Sequence, residues 1–231
     1  MTASPVPEPS THTTGLLIHN PIGYDLRAWW HARGRAAEFR AEEVRLARIR
    51  PGERVLDVGC GTGSLTIAAA RAAGPGGRVV GVEPSTEMIA WARLKARLLR
   101  VPVQFVATAG EALPFPDDSF GVVTVSLVLH QLPSDALHAT MGQIRRVLAP
   151  GGRLLLVDLD LSGPLGNTVH SGRPSHTGHH APEGAARFDL ERIGLLVEHI
   201  GLTIVERGPI AFRFRGLEPL RYLLAEAPPA D

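Results

Sequence analysis

Cysteine is nearly absent from this chain. The single Cys60 among 231 residues excludes disulfides within the chain, zinc-finger ligand sets and cysteine-relay chemistry, and it suits a reducing compartment. Lysine is equally scarce, Lys95 being the only one among 24 basic residues. Neither sign of charge dominates, since 24 Lys+Arg face 23 Asp+Glu for a net +1. A nucleic-acid or anionic-membrane binder would show a basic excess. Apolar runs stop at about eight residues, well short of the roughly 20 that span a bilayer. Residues 1–15 carry neither the basic nor the apolar stretch of a targeting segment, and their Thr/Pro/Ser content reads as a disordered tail. These absences point to a cytoplasmic protein with no membrane span and no nucleic-acid partner.

What remains is a chain with 44% hydrophobic residues, enough for the core of one domain. Residues 16–50 run from an aromatic stretch into a helical pattern, with Ala36, Phe39, Val44, Leu46 and Ile49 among Arg and Glu. That predicts an N-terminal helical cap, stopped at Pro51-Gly52, ahead of a main domain over 51–231. Beyond it, apolar runs alternate with helical patterns. Strands are expected at Arg54–Val58, Arg78–Val82, Val103–Ala107, Phe120–Leu129 and Arg153–Leu159. Helices are expected at Leu65–Ala73, from an N-cap at Ser85 to Leu99, and from Ser134 to Leu148. Continuous apolar strands of this kind belong to a parallel sheet covered on both faces. The end of the chain reads differently. After a polar loop, Ser162–Gly184, come a helix near Phe188–Ile200, a hairpin of Thr203–Glu206 with Ile210–Arg215, and a last helix, Leu217–Ala225.

The chemistry concentrates at Val55-Leu56-Asp57-Val58-Gly59-Cys60-Gly61-Thr62-Gly63, where a strand feeds a glycine turn and then a helix. Open α/β sheets bind ligands at such turns, and glycine lets the backbone approach the ligand closely. A dinucleotide fingerprint needs a third glycine, but Ser64 or Thr66 stands there in the two possible registers. Glu83 ends the second strand, twenty residues after Gly63. A carboxylate there can accept both hydroxyls of a ribose diol. Asp57 suits a cationic group near the turn. The ligand implied is a nucleoside with a positively charged tail.

VLDVGCGTG, GVEPS, EALPFPDDSF and RVLAPGGRLLLVDL resemble, in order and spacing, the class I S-adenosylmethionine (SAM)-dependent methyltransferases. They are most similar to the small-molecule branch that includes the ubiquinone/menaquinone C-methyltransferases. The likeness covers residues 16 to 160 and implies a Rossmann-like three-layer sandwich, with a seven-stranded, mostly parallel sheet and an antiparallel last strand. It implies SAM as co-substrate and a small-molecule acceptor, with monomer or homodimer left open. Gly59, Gly61 and Gly63 would line the methionine moiety above Asp57. Glu83 would hold the ribose, and Pro84 and Met88 would pack on the adenine, whose edge Gly110 and Glu111 would border. Ser126 and Leu127 would lie beside the sulfonium. The Tyr24-Asp25 pair resembles one in the family's N-terminal helix whose tyrosine closes over SAM.

Two positions depart from that pattern. Thr108-Ala109-Gly110 replaces the usual Gly-Asp-Ala, so the aspartate that would accept from the adenine amino group is missing unless Thr108 or Glu111 substitutes. His130-Gln131 replaces a frequent His-His pair, leaving one imidazole as the candidate catalytic base or substrate-positioning group. His170, His176, His179 and His180 lie in a Gly/Ser/Pro-rich stretch without a carboxylate, which reads as a mobile or substrate-gating loop before a metal site. A single cysteine argues against arsenic methylation, and SLVLHQL lacks the Pro-Pro-aromatic motif of amino-methylating DNA enzymes. The alternative reading is a protein that binds SAM or S-adenosylhomocysteine without moving a methyl group.

Overall fold

The apolar runs between glycine turns become strands because they are buried on both faces, a setting that β-branched residues fill well. The structure is a computed structural model that describes residues 8–160, 190–212, 214–215 and 220–230. Two helices open it, α1 (Pro21–His31) and α2 (Ala36–Leu46). Next, β1 (Arg54–Val58), α3 (Ser64–Ala73), β2 (Arg78–Glu83), α4 (Thr86–Leu98) and β3 (Gln104–Ala107) alternate. They are followed by β4 (Phe120–Ser126), a 3-10 turn (Leu129–Gln131), α5 (Ser134–Val147) and β5 (Leu148–Leu159). Last come α6 (Leu190–His199), β6 (Thr203–Pro209) and β7 (Leu220–Glu226).

One seven-stranded sheet results, in the order β3-β2-β1-β4-β5-β7-β6. β1 to β5 pair in parallel, whereas β7 runs antiparallel to both β5 and β6. The strand order reverses between β1 and β4, where Val58 lies beside Val125. At such a switch point the connections leave in opposite directions and open a crevice at the carboxyl ends. The glycine turn after β1 and Ser126 at the end of β4 flank that crevice.

The period of two along each strand divides the core between two faces. Leu56, Val58, Leu154 and Leu156 pack with Met141 and Ile144 of α5 and Ile193 and Val197 of α6. Val55, Leu155 and Val157 pack on the opposite side with Phe39 and Leu46 of α2 and Ala69 and Ala73 of α3. Burying a large apolar side chain contributes roughly 1.5–3 kcal/mol, so a chain with few aromatics still obtains a stable core from stacked Leu, Ile and Val.

The carboxy-terminal expectations need correction. Leu217–Ala225 was expected as a helix, yet Leu220–Glu226 is β7, hydrogen-bonded between β5 and β6. Its Leu, Glu and Ala content favours a helix in isolation, but Leu223 and Leu224 are completely buried on opposite faces of the sheet. A strand buried on both sides shows no alternation to read. The partner of β6 is therefore β7, not Ile210–Arg215. The aromatic rings of that stretch instead brace α2, with Phe39 4.8 Å from Phe214 and 5.4 Å from Phe212. Residues 8–15, expected within a disordered tail, lie hydrogen-bonded along the loop after β3, where Ala109 N–H donates to Ser10 O at 2.7 Å. The histidines at 170, 176, 179 and 180 fall outside the described residues.

Candidate active site

A cleft of about 700 Å3, open to solvent, lies over the carboxyl ends of β1, β2, β3 and β4. Gly59, Gly61, Glu83, Pro84 and Met88 line its middle. Gly110 and Glu111 line the end above β3, and Tyr24, Ser126 and Leu127 the end above β4. Three expected site residues, Asp57, Gly63 and His130, do not form its wall.

The glycines of the turn serve different purposes. Gly61 has φ +52°, and a Cβ there would meet nothing nearer than Tyr24 Cε1 at 4.0 Å. The open space above it admits a ligand against the backbone. Gly63, at φ +76°, has no such space, because a Cβ would sit 2.6 Å from Phe105 and 2.9 Å from Ala92. It is required by helix–strand packing rather than by a ligand.

Beneath the turn, Asp57 is 2% exposed and accepts hydrogen bonds from Thr66 Oγ1 at 2.7 Å and Thr124 Oγ1 at 2.9 Å. Burial raises its carboxyl to about 6 against those two bonds. Asp57 thus ties the turn to α3 and β4. Glu83 faces the cleft itself. Its Oε2 accepts from Gly61 N–H at 3.2 Å and its Oε1 from Ser85 N–H at 3.1 Å. Burial raises this carboxyl as well, opposed by the same two amides. Each oxygen keeps a lone pair for a ligand.

The cap closes the other side through Asp25, neighbour of Tyr24. Asp25 accepts from Thr62 Oγ1 at 2.6 Å, Trp91 Nε1 at 2.8 Å and Lys95 Nζ at 2.9 Å. The single lysine also donates to Thr62 Oγ1 at 3.1 Å and Ser64 Oγ at 3.0 Å. All three ammonium protons are engaged, clamping α1, the glycine turn and α4 together. Tyr24 then stands over Gly61, its hydroxyl raised in pKa chiefly by burial.

Behind Ser126 lies a cluster that sequence reasoning missed. Ser126 donates a short hydrogen bond to Glu43, and Arg40 Nη1 reaches Glu43 Oε2 at 2.7 Å and Ser126 Oγ at 3.1 Å. Glu43 is completely buried, which pushes its carboxyl up, while Arg40 and Ser126 pull it back. The Ser126 proton is therefore committed to Glu43. Only the helical pattern around Phe39 hinted at this region, and nothing local marked a contact 83 residues away. Leu127, next in the chain, has φ +59°, a conformation disfavoured for a branched side chain and concentrated at functional sites. Its N–H bonds Val157 O at 2.8 Å, and its carbonyl accepts from Gln131 Nε2 at 3.1 Å.

His130 occupies the 3-10 turn after β4, beside the cleft residues Gln131 and Leu132. Its Nδ1 lies 2.5 Å from Oδ1 of Asp158, which is completely buried near the end of β5. Asp158 Oδ2 also accepts His130 N–H at 3.2 Å. Burial lowers the imidazole pKa, but the charge and hydrogen bond of Asp158 outweigh it, leaving the ring raised above 6.5. Among the described residues no group of three or more His, Cys, Asp or Glu could hold a metal.

A glycine turn, a carboxylate held by two backbone amides and a capped switch point thus border one cleft. Residues 55–152 match the family model described as a methyltransferase domain. Over that stretch the chain is similar to methyltransferase domains. A demethylmenaquinone methyltransferase from Symbiobacterium thermophilum is 33% identical over 151 residues, 64% of this chain and 59% of that protein. The ubiquinone/menaquinone biosynthesis C-methyltransferase UbiE of Ectopseudomonas mendocina is 40% identical over 124 residues, 52% of this chain and 47% of that one. The chain thus spans about half to three fifths of the length of these relatives.

Solved structures agree on the fold. A SAM-dependent methyltransferase from Aquifex aeolicus has a TM-score of 0.68 at 19% identity, over 90% of this chain and 98% of its own. The [4+2]-cyclase SpnF has the same score at 20% identity, over 84% and 82%. At such identities the likeness shows the fold alone, and one fold serves different chemistries. The domain's activity has to be argued from its site.

Proposed function

We propose that this chain moves the sulfonium methyl of SAM to a small organic acceptor, and that a hydroquinone-type ring is the acceptor class. The observation that carries the nucleoside reading is Glu83, fixed by two backbone amides with an acceptor lone pair left on each oxygen. In this reading Glu83 takes the two ribose hydroxyls, Pro84 and Met88 pack on the base, and Gly59 and Gly61 admit the methionine moiety. Tyr24, Ser126 and Leu127 enclose the reacting end. The residues present fit such a ligand, since the space over Gly61 is open and the lining there is largely apolar. The acceptor class is suggested by the relatives, whose names specify demethylmenaquinone and ubiquinone/menaquinone C-methylation.

SAM supplies an electrophilic methyl whose sulfur keeps the breaking bond's electron pair while the acceptor atom forms the new bond and releases a proton. The protein's share is to align the two reactants and exclude water, which lowers the entropic part of the barrier. His130 is assigned that proton. In this reading Nδ1–H donates to Asp158, leaving Nε2, which the Gln131 amide approaches at 3.4 Å, as the basic atom. The balanced charge and single cysteine support a cytoplasmic setting without a nucleic-acid partner. No helix among the described residues is long and apolar enough to cross a membrane.

The test is calorimetric titration with SAM and S-adenosylhomocysteine, followed by transfer of labelled methyl from SAM to a panel of hydroquinones, phenols and amines. Binding with transfer to a hydroquinone supports the whole reading. Binding without transfer to any acceptor would favour a SAM-binding protein of other chemistry, and absence of binding would refute the nucleoside site.

A further inference from the structure

The sheet continues past the cleft. Beyond β4 lie β5 and then β7, whose first residues meet the carboxyl end of β5 because the two strands run antiparallel. There Asp158 is paired with Arg221. Cross-strand partners share a face of the sheet, with Cβ atoms about 5 Å apart. Asp158 follows Leu156 by two residues and Arg221 precedes Leu223 by two, so both stand on the face that packs on α5 and α6. His130 joins them there through its bond to Asp158, from a turn whose neighbours Val128 and Gln131 line the cleft. A polar line therefore runs from the reacting end of the cleft to Arg221.

Arg221 is an incomplete ion pair. Its Nη1 reaches Asp160 Oδ2 at 3.3 Å, longer than the roughly 2.7–2.9 Å of a well-formed charge-assisted bond. Its Nε is buried without a hydrogen-bond partner, although the side chain as a whole is 39% exposed. Arg153 of β5, which pairs with the far end of β7, shows the contrast. Its Nε donates to Ala47 O at 3.3 Å, and its Nη2 to Arg48 O at 3.1 Å and to both Glu53 oxygens at 2.7 Å. That guanidinium is completed by protein and is structural. In Arg221 the Nε–Nη2 edge, which can grip two oxygens at once, has no protein acceptor among the described residues. A buried donor without an acceptor is costly, so the edge marks a place where an oxygen-bearing ligand completes the structure.

We propose that Arg221 holds an oxyanion of the methyl acceptor, a carboxylate or an ionised ring hydroxyl, through its Nε–Nη2 edge. This rests on the methyl-transfer reading and narrows its acceptor to rings that carry a negative oxygen. The methyl-accepting atom has to lie between the SAM sulfur and His130 Nε2, which takes its proton. The rest of the acceptor then extends in the direction from β4 to β7, where Arg221 supplies a cation. Arg221 binds and orients, and His130 accepts the proton.

The test is calorimetry of the full chain, with and without S-adenosylhomocysteine, on two ligand pairs that differ in charge. One pair is 4-methoxybenzoate and its methyl ester. The other is 4-nitrophenol, ionised at a mildly alkaline assay pH, and 4-nitroanisole. The parent should prefer the charged member of at least one pair by about tenfold or more, and the pair that discriminates identifies the oxyanion. Arg221→Met keeps the stem and removes the fork, so it should cut that preference to about twofold or less. Arg221→Lys returns the charge without the fork and should recover part of it. Thermal melts matching the parent establish that the variants are folded, and a merely structural Arg221 would move the melt and not the preference. No charge preference in the parent, or a parent-like preference in Arg221→Met, overturns the assignment and leaves the methyl-transfer reading standing. Absence of S-adenosylhomocysteine binding refutes that reading instead, and is scored separately from the charge preference.

Discussion

Replacing Glu83 with alanine is the sharpest probe of the cleft. The side chain makes two contacts to protein amides, Gly61 N–H at 3.2 Å and Ser85 N–H at 3.1 Å, and offers two lone pairs to a ribose diol. Hydrogen bonds to a charged group are worth roughly 1.5–3 kcal/mol each, and about 1.4 kcal/mol is tenfold in affinity. Losing one ribose bond should then weaken S-adenosylhomocysteine binding about tenfold or more, and losing both about a hundredfold or more. The variant also frees two amides. That should lower stability by about 1–3 kcal/mol for each one not rehydrated, so denaturant titration must accompany the calorimetry to show the folded fraction. Glutamine is a poorer control than it looks, because its N–H2 would face one of the two backbone donors. Folded Glu83→Ala that binds S-adenosylhomocysteine within about twofold of the parent would refute the ribose assignment, and with it the order of subsites along the cleft.

The His130–Asp158 pair makes a prediction about pH. Asp158 raises the imidazole above 6.5, so the ring is protonated and inactive as a base at low pH. Methyl transfer should rise with pH through a midpoint above 6.5, and Asp158→Asn should move that midpoint down while lowering the plateau rate. A pH–rate profile that is flat in the parent, or that keeps its midpoint in Asp158→Asn, returns the pair to a structural role. Glu43→Ala removes the buried partner of Arg40, whose side chain is only 16% exposed. It should cost about 3 kcal/mol or more by urea denaturation, and a loss below about 1 kcal/mol would mean that Arg40 finds water instead.

Much of the β1-to-β5 half was legible in the chain because its determinants are local. A glycine run between an apolar strand and an Ala-rich helix specifies a turn by backbone sterics alone, and Glu83 follows at the end of the next strand. Nothing comparable marked β7, since Leu220–Glu226 has helix-forming composition and is made a strand only by its neighbours β5 and β6. The site divides in the same way. Gly59, Gly61 and Glu83 line the cleft, whereas Gly63 and Asp57 belong to the packing beneath it. The Asp158 partner of His130, the Arg40–Glu43–Ser126 cluster and the Thr13–Glu111 hydrogen bond join residues 28 to 98 positions apart. Side-chain chemistry and short-range periodicity determine turns, strand ends and helix caps, because those energies are settled within a few residues. Which carboxylate meets which hydroxyl across the sheet is decided only when burial forces distant polar groups to find one another, and that is a property of the packed chain.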